Sequence, residues 1–303
     1  MSANIYPLTS FGCLKISGPD VKNFMQNQVT CDINKTSESQ LSLTAYCNDK
    51  GRISASGYIF MKEDVFYFLT PKSLIANTQQ KFKQYGIFSN IATEHLNDID
   101  IIACLGEPKG INVPNENNKI SMVSENVHAA CINNQTQQYI FFGEREFITP
   151  FQEQLAKTRG INLSLDLYQW EQANIDAGII HIYPETLDKL TPHMANYHLN
   201  NAVCFTKGCF LGQEVIARTQ HRGRSKRKLY SASLSDNTIV NIGDMIYTDC
   251  DEQAGIVVAQ SSNKDITNML VVLSDHTIKS KLSINKNYIS NPELVTTPEL
   301  EDA

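Results

Sequence analysis

Apolar and polar positions alternate from residue 41 onward. Leu41, Leu43, Ala45 and Cys47 interleave with Ser42, Thr44 and Tyr46, a period of two that predicts a strand. The polar turn Asn48-Asp-Lys-Gly51 leads into a second apolar run at 53–61, and Glu63-Asp64 turns the chain into a third at 65–69. Three such runs with short polar turns predict an antiparallel meander. Helical spacing flanks it on both sides. Pro19 suits a first helical position and Val21, Phe24, Met25 and Gln28 recur on one face, predicting a helix near 19–27. Leu74, Ile75, Thr78, Phe82 and Tyr85 predict another over 71–85, with Gly86 placed to stop it in a left-handed conformation.

Further on, the pattern predicts strands at 99–105 and 139–142. Residues 106–125 are rich in Pro, Asn, Gly and Lys and read as a surface connection. Thr149 and Gln152 have capping-box spacing with Pro150 just inside, so a helix is expected from Thr149, closed by Gly160. Another is expected over 165–177, stopped by Gly178, while 179–206 shows only weak periodicity. Beyond Lys228 short apolar segments alternate with Asp, Asn and Gly turns, and no amphipathic helix is visible. That reads as a small all-β barrel or sandwich. The expected organisation is α+β over residues 1–228, a β module over 229–290, and a frayed Pro- and Glu-rich tail over 291–303.

Composition narrows the function classes. The chain has 303 residues, 42% of them hydrophobic, enough to bury a sizeable core. A formal charge of −6 argues against non-specific binding to nucleic acid, though a local basic patch is compatible with it. No apolar stretch is long enough to span a membrane, and the first residues carry no basic-then-apolar signal, so a cytoplasmic location is the expectation. Eight cysteines are scattered with no Cys-x-x-Cys pair, which suits small buried hydrophobes in a reducing compartment.

Cys209 is the exception. In Phe205-Thr-Lys-Gly-Cys-Phe-Leu-Gly-Gln-Glu-Val-Ile-Ala-Arg218 it is flanked by Gly208 and Gly212, and good helix formers follow from Gln213. A thiol at or just before a helix N-terminus, with Lys207 two positions away, is favoured as thiolate. Glu214, near the first helical turn, complements the dipole and is placed to orient a ligand or Arg218. The alternative is a small buried residue in a tight turn. His193, His198 and His221 are candidate bases for a nucleophile. A metal site from His193, His198, Cys204 and Cys209 matches no compact zinc spacing, and none is expected.

Lys207-Gly-Cys-Phe-Leu-Gly-Gln-Glu214 resembles the signature of the YgfZ family in every position. Four further blocks resemble that family: Phe24-Met-Gln-Asn-Gln-Val-Thr-Cys-Asp32, with Asn27 where glycine is usual, Cys47-Asn-Asp-Lys-Gly-Arg52, Asn174-Ile-Asp-Ala-Gly178, and the basic run Arg222-Gly-Arg-Ser-Lys-Arg227. The resemblance implies a fold like the glycine cleavage T-protein: two ferredoxin-like α+β modules and a C-terminal antiparallel β-barrel around a central channel. It implies tetrahydrofolate or a related folate as cofactor, and a role in tRNA modification through iron–sulfur enzymes such as methylthiotransferases. Cys209, with Lys207, Gln213 and Glu214, is the implied reactive centre.

The same resemblance aligns Phe11 and Trp170 with aromatic folate-binding positions, and Asp176 with a glutamate that would pair with the pterin edge. A pterin stacks well on aromatic faces. Two rivals remain. An aminomethyltransferase would carry carboxylates shortly after Gly51, where this chain has Ile53-Ser-Ala-Ser-Gly57. A protein contacting tRNA directly would use Arg222, Arg224, Lys226 and Arg227, but no RNA-binding signature accompanies them.

Overall fold

The computed structural model describes residues 2–223, 225–235 and 238–296. The chain opens with β1 (Ala3–Pro7) and β2 (Phe11–Ser17), followed by helix α1 (Val21–Gln28). The meander follows as β3 (Ser42–Cys47), β4 (Ile53–Lys62) and β5 (Val65–Pro71). Helix α2 (Lys72–Tyr85) buries Leu74, Ile75, Thr78 and Phe82. With β6 (Ala92–Leu96) these strands make a five-stranded antiparallel sheet in the order β3-β4-β5-β2-β6. Gly86 ends α2 with φ −88°, so the left-handed stop expected there is not used.

A second sheet comprises β7 (Ile99–Leu105), β8 (Ile120–Ser124), β9 (Val127–Asn133), β10 (Gln138–Glu144) and β11 (Ile161–Leu163). Its order, β11-β1-β7-β10-β9-β8, recruits β1 from the start of the chain. The two sheets are therefore interleaved in sequence. Strand β8 corrects the reading of 106–125 as pure connection: it lies at the sheet edge, where alternate positions face outward and no apolar run is needed. Helix α3 (Arg145–Lys157) starts before Thr149 and carries Pro150 inside it. Helix α4 (Tyr168–Asp176) ends ahead of Gly178, which has φ +65°.

After α4 the chain runs through turns to helix α5 (Gln213–Arg222). It then builds a third sheet from β12 (Arg227–Leu234), β13 (Met245–Thr248), β14 (Gln253–Ser262), β15 (Thr267–Ser274), β16 (Leu282–Ile284), β17 (Asn287–Tyr288) and β18 (Glu293–Leu294). The order β17-β16-β13-β14-β15-β12-β18 is antiparallel and open. Alternate residues of these strands face opposite ways. Tyr230, Val257 and Val271 join a core of their own with Ile246, Leu282 and Ile284, which requires the sheet to curl on itself. Leu229, Ile256 and Val272 instead join the main core shared with the first two sheets.

Residues 291–296 are not frayed. Strand β18 pairs with β12, Val295 N–H donates to Leu229, and Asn196 Nδ2 donates to the Val295 carbonyl at 3.0 Å. The rest of the tail, 297–303, lies outside the described residues.

Candidate functional site

Two of the other sequence blocks converge on the Cys209 segment. Lys207 Nζ donates to the carbonyls of Val29 and Cys31, both at 2.7 Å, and sits 5.1 Å from the Phe210 ring centroid. Leu211 N–H reaches the Asn27 carbonyl and Cys204 N–H that of Thr30, so the segment is laced along residues 27–31. On its other side it meets the Asn48–Gly51 turn. Gly212, at φ +80°, lies so close that a Cβ there would stand 2.5 Å from the Asn48 oxygen and 2.9 Å from Gly51 Cα. Gly51 itself has φ +67° and faces Val215 and Ile216 of α5. Only glycine permits both the conformation and the approach.

Cys209 is presented outward by this assembly. Its side chain is exposed, while Phe210 beside it is buried. The expectation of an ammonium aimed at the thiol is corrected: Lys207 directs its charge to two backbone carbonyls. Its pKa falls to about 8, chiefly through burial. Helix α5 begins only at Gln213, so Cys209 stands off its N-terminus. The sharp turn belongs to Gly212 and not to Gly208, which has open space around it. Gln213 opens α5, Glu214 is exposed in its first turn, and no ion pair joins Glu214 to Arg218 among the described residues.

Neighbouring groups have different environments. Burial pushes the Cys204 thiol up, but hydrogen bonds from the Thr206 hydroxyl and the N–H groups of Thr206 and Lys207 outweigh it and hold the pKa below the ordinary value. His193 and His198 pack ring to ring at 4.7 Å, and His193 Nε2 meets Gln220 Oε1 at 3.1 Å. Burial lowers both, His198 to about 4.

A separate cavity of about 620 Å³, counting its mouth, opens between the first two sheets and α4. Phe11, Tyr58, Leu69, Ile101, Ile132 and Ile140 form its sheet walls, Trp170, Glu171 and Asn174 come from α4, and Leu167 is the residue that caps its start. The spacing 170, 171, 174 is one helical face. The structure thus brings Phe11 and Trp170 to one cavity. Asp176 is not on it: it is exposed on another face of α4 and accepts from Gln172 Nε2 at 2.8 Å. His181 also lines the cavity, edge-on to Phe11 at 5.0 Å and to Tyr58 at 5.6 Å.

Sequence reasoning missed a carboxylate beside the Ile53–Gly57 stretch. Asp188 Oδ1 accepts from Ser54 Oγ and Asn48 Nδ2, and Asp188 N–H bonds the Ile53 carbonyl. No local pattern signals a contact between positions so far apart. Asp188 faces a second, open cleft of about 960 Å³ with Lys50, Arg52, Lys189 and Arg227. Of the basic run, Arg222 and Lys226 are exposed, Arg227 Nε bonds Ser274 Oγ at 3.2 Å, and Lys228 pairs with Asp275 at 3.5 Å. Arg224 lies outside the described residues.

The tRNA-modifying protein YgfZ of Buchnera aphidicola is 31% identical over 245 residues, covering 76% of this chain and 73% of the relative. The chain belongs to the YgfZ family. The YgfZ protein of Colwellia psychrerythraea is 27% identical over 232 residues, covering 74% of this chain and 69% of its own. An uncharacterized protein of Haemophilus influenzae is 27% identical over 241 residues, covering 79% and 76%. No family model matches the chain. Among solved structures, the glycine cleavage system aminomethyltransferase T of Bartonella henselae superposes with a TM-score of 0.75 at 10% identity, covering 99% of this chain and 87% of that one. At that identity the match establishes the fold, mixed α+β with several sheets. Within this YgfZ-family chain, the interlocked Lys207–Glu214 segment and the aromatic cavity are both built by residues far apart in sequence.

Proposed function

We propose that the protein binds a folate and supports tRNA modification by helping to assemble or repair iron–sulfur enzymes, such as a tRNA methylthiotransferase, with Cys209 as its reactive thiol. One observation carries the folate half of this reading: Phe11 and Trp170 come from distant segments to line one apolar cavity in an aminomethyltransferase-like fold. The residues fit a flat heterocycle. Aromatic walls supply faces, and Ser10, Asn174 and Tyr183 supply a few polar groups. The names of the relatives support the tRNA half.

The wiring β2-α1-β3-β4-β5-α2-β6 supports a ferredoxin-like first module, with the second sheet as its partner module and the channel of the fold between them. On this reading residues 1–228 act as one composite folate-binding unit and 229–290 as its β appendage. Folate is held, and no one-carbon transfer is assigned, because Asp188 faces the basic cleft while the cavity lacks a carboxylate from the Ile53–Gly57 stretch. Direct contact with tRNA is a second reading, favoured by the four cations Lys50, Arg52, Lys189 and Arg227 lining that cleft.

Trp170 is the sole tryptophan of the chain, so added tetrahydrofolate should quench its fluorescence. An unchanged spectrum at saturating ligand, with no heat in calorimetry, removes the folate assignment. Cys209→Ala should fold normally yet fail to restore methylthiolated tRNA in a deletion strain. Full restoration removes the thiol.

A further inference from the structure

The open cleft beside the Asn48–Gly51 turn gathers positive charge that no ion pair among the described residues neutralises. Lys50 and Arg52 reach it from the β3–β4 connection, Lys189 from the segment after α4, and Arg227 from the start of β12. Asp188 is the one acid in the lining, and it is held by Ser54 Oγ at 2.5 Å and Asn48 Nδ2 at 3.0 Å. Arg52 is fixed in place, since its Nη1 donates to the Lys189 carbonyl at 2.6 Å. Arg227 is steadied in the same way by Ser274 Oγ. Four cations facing one carboxylate, in a chain whose formal charge is −6, are an arrangement that attracts an anion.

The floor of the cleft narrows the choice of anion. Leu190, Ile256 and Val272 are buried there, with Met194 and Met245 partly exposed beside them. Inorganic phosphate would leave this apolar surface wet, and so would a run of acidic side chains. A duplex keeps its bases stacked inside and would offer the rim only its backbone. A single strand can turn one base out of the stack, lay its flat face on thioether and aliphatic groups, and bring phosphates to the cations. The cleft of about 960 Å³, counting its mouth, has room for one nucleotide. We propose that it holds one unpaired nucleotide of a single-stranded RNA, with Lys50, Arg52, Lys189 and Arg227 on the flanking phosphates. This rests on the reading of direct contact with tRNA and goes beyond it: the RNA is unpaired where it is held, and the contact lies away from the exposed Arg222 and Lys226.

Little in the lining reads the edge of a base. Asn48 is already engaged, its Oδ1 accepting from the N–H groups of Lys50 and Arg52 and its Nδ2 donating to Asp188. Gln253 Nε2 donates to the Met245 sulfur at 3.2 Å. The lining has no aromatic ring among the described residues. Sequence preference should therefore be weak, with affinity coming from phosphates and from cover of the apolar floor. The turn that carries Lys50 also packs, through Gly51, against Gly212 and α5. A nucleotide in the cleft would thus lie one turn away from the segment that displays Cys209.

Fluorescence anisotropy on the full chain tests this with a labelled single-stranded oligoribonucleotide of mixed sequence, a blunt RNA duplex of the same length, and oligoglutamate of matching charge as competitor. Wild type should bind the single strand about tenfold more tightly than the duplex, and oligoglutamate should compete poorly. Lys50→Gln combined with Lys189→Gln should bind the single strand roughly ten- to a hundredfold more weakly, with the slope of log affinity against log salt shallower by about 1.4. Met245→Ser should weaken binding with that slope unchanged. Lys279→Gln combined with Lys281→Gln removes the same charge elsewhere and should bind as wild type. Unchanged melting of each variant would show that the fold is kept. If wild type binds neither RNA, the reading of direct tRNA contact fails and this assignment falls with it. If wild type binds RNA and the Lys50/Lys189 variant keeps its affinity and salt slope, or both lysine pairs lose affinity equally, the cleft alone is overturned. Equal affinity for duplex and single strand removes the unpaired base, and equal competition by oligoglutamate removes the nucleotide.

Discussion

Replacing Gly212 with alanine would put a methyl group 2.5 Å from the Asn48 carbonyl oxygen and 2.9 Å from Gly51 Cα. Two costs add. The backbone at φ +80° is left-handed, worth about 1–2 kcal/mol against a residue with a Cβ. The clash is with backbone atoms, so no side-chain rotation relieves it; one of the two turns has to move, at a further cost of about 1–3 kcal/mol. The sum is roughly 2–5 kcal/mol, which for a chain of this size lowers the melting temperature by about 3–8 °C. Gly208 provides the control within the same signature. A methyl group there would meet no atom within 4 Å, and the backbone is not left-handed, so Gly208→Ala should stay within about 0.5 kcal/mol of wild type. Thermal and urea denaturation followed by circular dichroism read both variants. Equal melting of Gly212→Ala and wild type, or an equal fall in both variants, would refute the interlock.

Lys207→Met removes the donors to the Val29 and Cys31 carbonyls and should destabilise the protein by about 2–4 kcal/mol, read as a lower urea midpoint. Lys207 titrates near 8 in the fold but at 10.5 when unfolded, so the unfolded state binds more protons between those values. Its contribution to stability therefore rises with pH across that window, and the wild-type-minus-variant difference should show it. His181 is held near 4 against 6.5 when unfolded. The stability this provides is complete above pH 6.5 and is lost as pH falls toward 4, roughly 3 kcal/mol in all, a slope that His181→Phe should flatten. Cys209 and Cys250 are exposed and Cys204 is half-buried with a lowered pKa, so a thiol reagent should modify three groups in the native protein ahead of the five buried ones, and two in Cys209→Ser, with stability unchanged.

The meander was legible because period-two alternation and polar turns agree at each step from Ser42 to Pro71. The start of α3 was not. The Thr149–Gln152 spacing imitates a capping box within a helix that begins at Arg145. Edge strand β8 gave no signal since half its residues face outward. For the site, the signature located the segment but misjudged its physics: only the fold shows that the Lys207 ammonium is held by carbonyls of residues far earlier in the chain. The helical wheel of α4 did contain the information that sets Asp176 apart from the cavity, since 170, 171 and 174 share a face. Asp188 could not be foreseen, because its hydrogen bond to Ser54 spans 134 positions.

The Lys207 bonds have a consequence for synthesis. Val29 is made 178 residues before the lysine that holds its carbonyl. At ~5–20 residues per second, the ribosome takes roughly 10–35 s to supply that partner. Throughout that interval the 27–31 stretch and the Asn48–Gly51 turn lack the surface they finally press against. The thiol at Cys209 is set in its outward position only when the signature emerges and docks on both. An incomplete nascent chain therefore carries no correctly displayed Cys209, and this exposed thiol takes its place only after more than two thirds of the chain has been made.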